Sequence, residues 1–321
     1  MVRKLVAVLG GSAVWLVIKR NIPNIILNWR QVMKRVLKWI AIVVGGLLGL
    51  ILVLAVGVYA VSAGRLNRTY EVTAVFNLTL PTDPERIAAG EKLYTIYCES
   101  CHGANLAGMP FSEDPAFGQI YSANLTGGEN GIGRSYSDDE IARAIWYGIK
   151  QDGSPTVGMP YEFNQGLHVG DMENVIAYLR SAPPVDTDYP TASYGPMLRV
   201  MHAANLFPLV AAEKVAMSQP PPAIISPDDT LAYGAYLAVF CTACHGSDFA
   251  GIEMAETPSL WTAVNAWTEA EFEQAMTQGV RPDGSQMDPE MMPWPSFNLY
   301  TAEERHAIWA YLQSLEPMTG K

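Results

Sequence analysis

The sequence predicts an all-α protein in which one N-terminal transmembrane helix is followed by two copies of a small helical domain. Three observations carry that expectation. From Trp39 to Ala63 about 25 residues run without a charge. Cys98-Glu99-Ser100-Cys101-His102 and Cys241-Thr242-Ala243-Cys244-His245 repeat one pattern, and helix-start signals recur at matching positions after each copy. At 321 residues, 49% apolar and 17% charged, the chain is long enough for two cores and too apolar for disorder. Nine Lys/Arg and no acid lie before residue 66, whereas the other 12 bases face 32 acids. Such an acidic body argues against nucleic acid, which demands a basic face. Solubility and a basic partner explain the acidity equally well.

Residues 5 to 18 are apolar but too short to span a bilayer, and no function is assigned to them. In residues 1–38 a cytoplasmic basic amphipathic segment is expected. Ile22, Ile25, Ile26, Trp29, Val32, Met33, Val36 and Leu37 recur at helical spacing, while Arg20, Asn24, Arg30, Lys34 and Arg35 take the other face. It reads as a helix lying on an anionic lipid surface before turning into the span; a natural start at Met33 is the alternative. The span, 39–63, is bracketed by Lys34, Arg35 and Lys38 before it and Arg65 and Arg68 after it. The denser N-terminal bases place the N-terminus in the cytoplasm and the rest on the outer, periplasmic side of the cytoplasmic membrane. Val61-Ser62-Ala63 resembles a signal-peptidase site, but the run is longer than a signal core. Gly45, Gly46 and Gly49 provide small-residue spacing for helix packing.

The two C-x-x-C-H motifs use every cysteine and match the attachment signature of c-type haem. Thiols one helical turn apart reach the two vinyl groups of one haem, and the adjacent His reaches the iron. A pair of redox C-x-x-C motifs or one four-cysteine zinc site are the competing readings. Flanking sequence shows a duplication: Gly90-Glu91-Lys92-Leu93 matches Gly234-Ala235-Tyr236-Leu237, and Gly103 to Gly108 matches Gly246 to Gly251. Ser137 to Glu140 and Thr268 to Glu271 are capping boxes opening helices that end at Gly148 and Gly279, and closing helices are expected over 171–181 and 302–315, the latter capped by Thr301 to Glu304. The repeats therefore cover 84–182 and 228–321, joined by a Pro-rich linker, 183–227.

Both halves resemble class I cytochrome c domains, and the whole is similar to membrane-anchored dihaem cytochromes c and to the cytochrome subunits of membrane-bound alcohol and gluconate dehydrogenases. The resemblance implies two covalently attached haem c groups, bound through Cys98, Cys101 and His102 and through Cys241, Cys244 and His245. It also implies a Met as second axial ligand, which carries onto Met159-Pro160-Tyr161 and Met292-Pro293-Trp294. Met287 and Met291 crowd the second site and stay open as alternatives. A thioether ligand favours ferrous iron and leaves no open position for substrate. Tyr161 and Trp294 are read as walls beside the haems, or as core packing, and Arg199 as a partner for a haem propionate, or as solvated. His168, His202 and His306 lie outside the motifs and read as structural.

The expected function is a membrane-tethered dihaem relay of single electrons. Electrons would pass from a membrane quinol oxidoreductase or dehydrogenase to a soluble cytochrome, copper carrier or terminal oxidase. Membrane lipid is the other expected partner. No catalytic site is expected, since no dinucleotide fingerprint or nucleophile elbow is present. Membership of a larger oxidoreductase complex is the alternative. A dihaem peroxidase is a further reading, opposed by the Met-Pro-aromatic closure in each half, because peroxide chemistry needs an open iron position.

Overall fold

The computed structural model describes residues 11–160, 164–206, 209–253 and 256–315, with side chains from Trp29 onward. It divides into two units, 1–61 and 62–321. A single helix, α1 (Gly11–Leu66), fills the described part of the first unit and runs on into the second. The turn expected between an amphipathic helix and the span is not there. Neither Gly nor Pro stands between Pro23 and Gly45 to end a helix, so the backbone continues. The side chains of Ile22, Ile25, Ile26, Arg20 and Asn24 lie outside those described. Leu47, Leu48, Leu50, Ile51, Leu52 and Val53 are all exposed, so apolar residues cover every face. A helix apolar all round needs a nonpolar surround, and the length of α1 suffices to cross a membrane.

In the second unit the two repeats share one plan. The first comprises α2 (Pro84–Tyr97), α3 (Glu99–His102), a hairpin of β1 (Pro110–Ser112) and β2 (Gly118–Tyr121), α4 (Ile132–Ser135), α5 (Asp138–Tyr147) and α6 (Val169–Ser181). After it come β3 (Ser193–Tyr194), which pairs antiparallel with β2, and α7 (Pro196–Ala203). The second repeat comprises α8 (Thr230–Ala238), α9 (Thr242–His245), α10 (Leu260–Ala266), α11 (Glu269–Gln278), α12 (Trp294–Phe297) and α13 (Ala302–Ser314).

Local chemistry sets these boundaries. Asp83 accepts from the Arg86 amide at 3.0 Å, with Pro84 in the first turn of α2. Ser137, Thr268 and Thr301 each form a reciprocal capping box, and α5 and α11 end on left-handed Gly148 and Gly279. His168, read as structural, caps α6 through its ring, accepting from the Asp171 amide at 3.2 Å, so α6 begins two residues before the expected start.

The core of each repeat is a helix crossing, α2 on α6 and α8 on α13. Gly90 and Gly234 occupy these crossings. A Cβ on Gly90 would lie 2.5 Å from the carbonyl carbon of Asn174, and one on Gly234 2.6 Å from that of Ala307. Only a residue without a side chain lets the backbones approach so closely. Around the crossings Tyr94, Ile141, Trp146, Met172 and Ile176 fill the first core, and Val264, Ile308 and Leu312 the second. Phe76, from the chain entering the first repeat, packs on Trp146 with ring centroids 5.4 Å apart.

The repeats meet through equivalent surfaces. Lys92 of α2 pairs with Glu304 at the start of α13, and Tyr236, at the matching position of α8, donates to Asp171 at the start of α6. His168 stacks on Tyr236 with centroids 5.0 Å apart. Between these contacts Tyr97 and Phe240 meet edge to face at 5.1 Å. Each stands immediately before the first cysteine of its motif.

Candidate haem attachment sites

Each C-x-x-C-H motif folds as one helical turn, α3 or α9, following directly on the helix before it. An i, i+3 spacing turns both cysteines of a motif to one face. Gly103 (φ 75°) and Gly246 (φ 80°) then reverse the chain beneath the histidine, in a conformation that favours glycine. The returning loops are anchored alike. Ser122 Oγ donates to the Cys101 carbonyl and Thr257 Oγ1 to the Cys244 carbonyl, each at 2.5 Å. One residue on, the carbonyls of Ala123 and Pro258 accept from His102 Nδ1 at 2.9 Å and His245 Nδ1 at 2.8 Å.

Those two hydrogen bonds decide what the histidines can do. A carbonyl only accepts, so Nδ1 carries the ring proton and Nε2 presents its lone pair, the tautomer a metal ligand requires. Burial also holds both imidazoles below the usual histidine range, keeping them neutral at pH 7. For the cysteines, burial pushes Cys98 and Cys241 up to about 12, so both rest as thiols at pH 7. Among the described residues, no group of three or more His, Cys, Asp or Glu gathers to hold a metal ion. A covalent haem fits these sites. Trp261 Nε1, three residues beyond Pro258, is shielded from solvent with no acceptor among the described residues, a donor that a polar group seated there would satisfy.

The methionine loops correspond residue by residue up to a point. Thr156 donates to the Gly148 carbonyl and Met287 to the Gly279 carbonyl, both backbone amides at 2.7 Å. Met287 thus matches Thr156 rather than Met159, and it is buried. Met159 follows three residues later, half-buried, in a loop held by the Gly158 amide on the Leu209 carbonyl at 2.8 Å. In the second repeat Met291 is 68% exposed, whereas Met292 packs against the core. Trp294 leans over the end of α11, its indole donating to the Met287 carbonyl at 3.4 Å. Tyr161 lies outside the described residues.

The remaining candidates take other places. Arg199 on α7 donates Nε to the Tyr194 carbonyl at 3.1 Å. His202 is buried, with Nδ1 3.3 Å from Ser62 Oγ and Nε2 3.7 Å from Glu213. His306 is exposed and pairs with Glu269 at 2.6 Å. Sequence reasoning missed the loop anchors Ser122 and Thr257 and the facing rings Tyr97 and Phe240. Their only signal was position, thirteen residues after the second cysteine of Cys244-His245 for Thr257 and directly before the first cysteine for the rings.

Comparison with known proteins gives the family. The cytochrome c family model matches residues 87–183 and 213–316, together more than half of the chain. The chain is 36% identical over 132 residues to the cytochrome c subunit of the quinone alcohol dehydrogenase of Komagataeibacter europaeus, covering 36% of this chain and 27% of that protein. It is 34% identical over 101 residues to the fructose dehydrogenase cytochrome subunit of Gluconobacter japonicus, covering 29% and 20%. It is also 32% identical over 160 residues to a subunit of the nicotinate dehydrogenase of Pseudomonas putida, covering 46% and 13%. The chain thus spans about a quarter or less of the length of these relatives. Twice-repeated attachment motifs on matching helical turns, histidines held for ligation and a family match over both repeats lead to one conclusion: the chain belongs to the cytochrome c family and carries covalently bound haem c.

Proposed function

We propose that the protein is a membrane-anchored two-haem electron relay that serves as the cytochrome subunit of a dehydrogenase. In each repeat two cysteines would hold one haem by thioether bonds. His102 and His245 would ligate through Nε2, and Met159 and Met292 would each supply a second ligand. When bound, each haem supplies a one-electron iron couple biased toward the reduced form by its thioether ligand. The chain's part is to exclude water, fix the two imidazoles and hold the sites together.

The observation that carries the relay is the contact of Tyr97 with Phe240 at 5.1 Å. Since each ring precedes its motif's first cysteine, the two attachment turns face each other across the seam between the repeats. Three relatives that are dehydrogenase subunits support the donor side. The base-rich N-terminal flank and α1 support an anchor with its N-terminus in the cytoplasm and the haem domains outside.

An optical titration of the purified protein with CO and then peroxide tests the proposal. Two haems per chain, both low-spin, unreactive to CO and rapidly reduced by a partner dehydrogenase, are expected. A haem that binds CO or turns over peroxide would refute it and favour the peroxidase reading.

A further inference from the structure

We propose that a cavity of about 570 Å³ at the end of α1 binds the phosphodiester of an anionic glycerophospholipid. Arg65, Arg68, Tyr70, Asn205, Glu213 and Lys214 line it, with Ala212 and Met217. Arg65 lies two residues beyond the uncharged run, where a chain leaving the bilayer meets the headgroups.

The charges of the lining do not cancel. Glu213 is fully engaged by Arg65, which donates Nε to Oε1 at 2.7 Å and Nη2 to Oε2. Arg65 also donates Nη1 to the His202 carbonyl at 2.6 Å, which locks that pair into the wall. Arg68 and Lys214 make no ion pair among the described residues, so two positive charges face the cavity without a counter-ion. Arg68 sits over the Tyr70 ring at 5.1 Å. The Tyr70 hydroxyl is shielded from solvent and has no hydrogen-bond partner among the described residues. Leaving such a donor unpaired is costly, and a small tilt of the ring toward the cavity would let a phosphate oxygen satisfy it. Burial raises the phenol above its ordinary range, so it stays a donor at pH 7. Two cations and one neutral donor around a single space match a phosphodiester monoanion. Neither electron transfer nor haem is needed for this site.

The test uses the full-length, haem-loaded protein in mild detergent, stripped of lipid, with phosphatidylglycerol, phosphatidylcholine and inorganic phosphate as probes and native mass spectrometry as readout. Phosphatidylglycerol should bind one per chain, more tightly than phosphatidylcholine. The double variant Arg68→Gln/Lys214→Gln should bind it about 30-fold more weakly, at roughly fivefold per cation near an anionic surface. Tyr70→Phe, which keeps the ring under Arg68 and removes the unpaired hydroxyl, should weaken it several-fold with unchanged haem spectra and a melting temperature no lower than wild type. Equal binding by wild type and Tyr70→Phe, or equal affinity for the two lipids, would overturn the proposal. Displacement of the lipid by millimolar inorganic phosphate would overturn it in favour of a free-phosphate site.

Discussion

Replacing Gly90 with Ala should separate packing from helix propensity. Gly90 is buried in α2 where that helix crosses α6. Its new Cβ would meet the Asn174 carbonyl carbon at 2.5 Å and the Tyr178 Cβ at 3.1 Å. Ordinary contact begins near 3.5 Å, so α2 must withdraw by about 1 Å. Overpacking of this kind costs about 1–3 kcal/mol, and the clash with backbone rather than a flexible side chain puts it at the upper end. Ala gains about 1 kcal/mol over Gly in a helix, leaving roughly 2 kcal/mol of net destabilisation. Since α2 leads directly into Cys98, the shift also moves the first attachment turn, so with Met159 as the proposed second ligand CO binding should appear at the first haem alone. Gly234→Ala should reproduce both effects in the second repeat, where the Cβ meets the Ala307 carbonyl carbon at 2.6 Å. Gly127→Ala, with nothing within 4 Å, is the control. Denaturant melts in detergent measure the difference. Alanine variants as stable as wild type, or more stable by the propensity gain, would refute the close-approach argument.

Two further outcomes follow from the sites. Met159→Ala and Met292→Ala should each open one haem to CO and lower its potential, while Met291→Ala, at a position 68% exposed, should leave spectra and potential unchanged; CO binding by the Met291 variant would reassign the ligand. Acid should destabilise the unit in two windows. Burial holds His202 below the free-histidine value, so the unfolded chain takes up a proton first and stability falls as pH drops below about 6.5. The hydrogen bonds from Arg65 hold Glu213 below the usual carboxylate range, so its contribution is present above about 4.5 and is lost as pH falls through the folded value. Glu213→Gln should flatten the lower window, and a melting temperature level from pH 7 to 5 would contradict the His202 argument.

Most of the helical plan was legible because its signals are local. Capping residues at Ser137, Thr268 and Thr301 and terminal glycines at Gly148 and Gly279 act within one turn, so sequence alone marks them. The hairpin of β1 and β2 was not legible, since each strand has three or four residues and β3 arrives from about 70 residues away. Nor was the continuity of α1, because an amphipathic pattern and an apolar run look like two helices although no breaker separates them. At the sites, the two C-x-x-C-H motifs and their helical turns were legible from spacing, whereas Ser122 and Thr257 act by folding back onto carbonyls that no spacing rule connects to them.

The seam between the repeats explains why duplication suits the proposed relay. Lys92 and Tyr236 occupy matching positions in α2 and α8, and each reaches the third residue of the other repeat's closing helix, Glu304 or Asp171. A contact in which one patch meets its own copy is the isologous geometry of a two-fold dimer, here made within one chain. In such geometry a residue near the axis meets its own counterpart, and Tyr97 with Phe240 is that pair. Because the pair adjoins Cys98 and Cys241, the symmetry that closes the interface also brings both attachment turns to it. Aromatic pairs contribute about 0.5–1.5 kcal/mol beyond burial, and the contact is extended through Phe297, 5.8 Å from Phe240, to Tyr300. The interface that holds the two repeats together is therefore the one that keeps both attachment turns adjacent, and in the proposed relay weakening it should slow exchange between the haems before it unfolds either repeat.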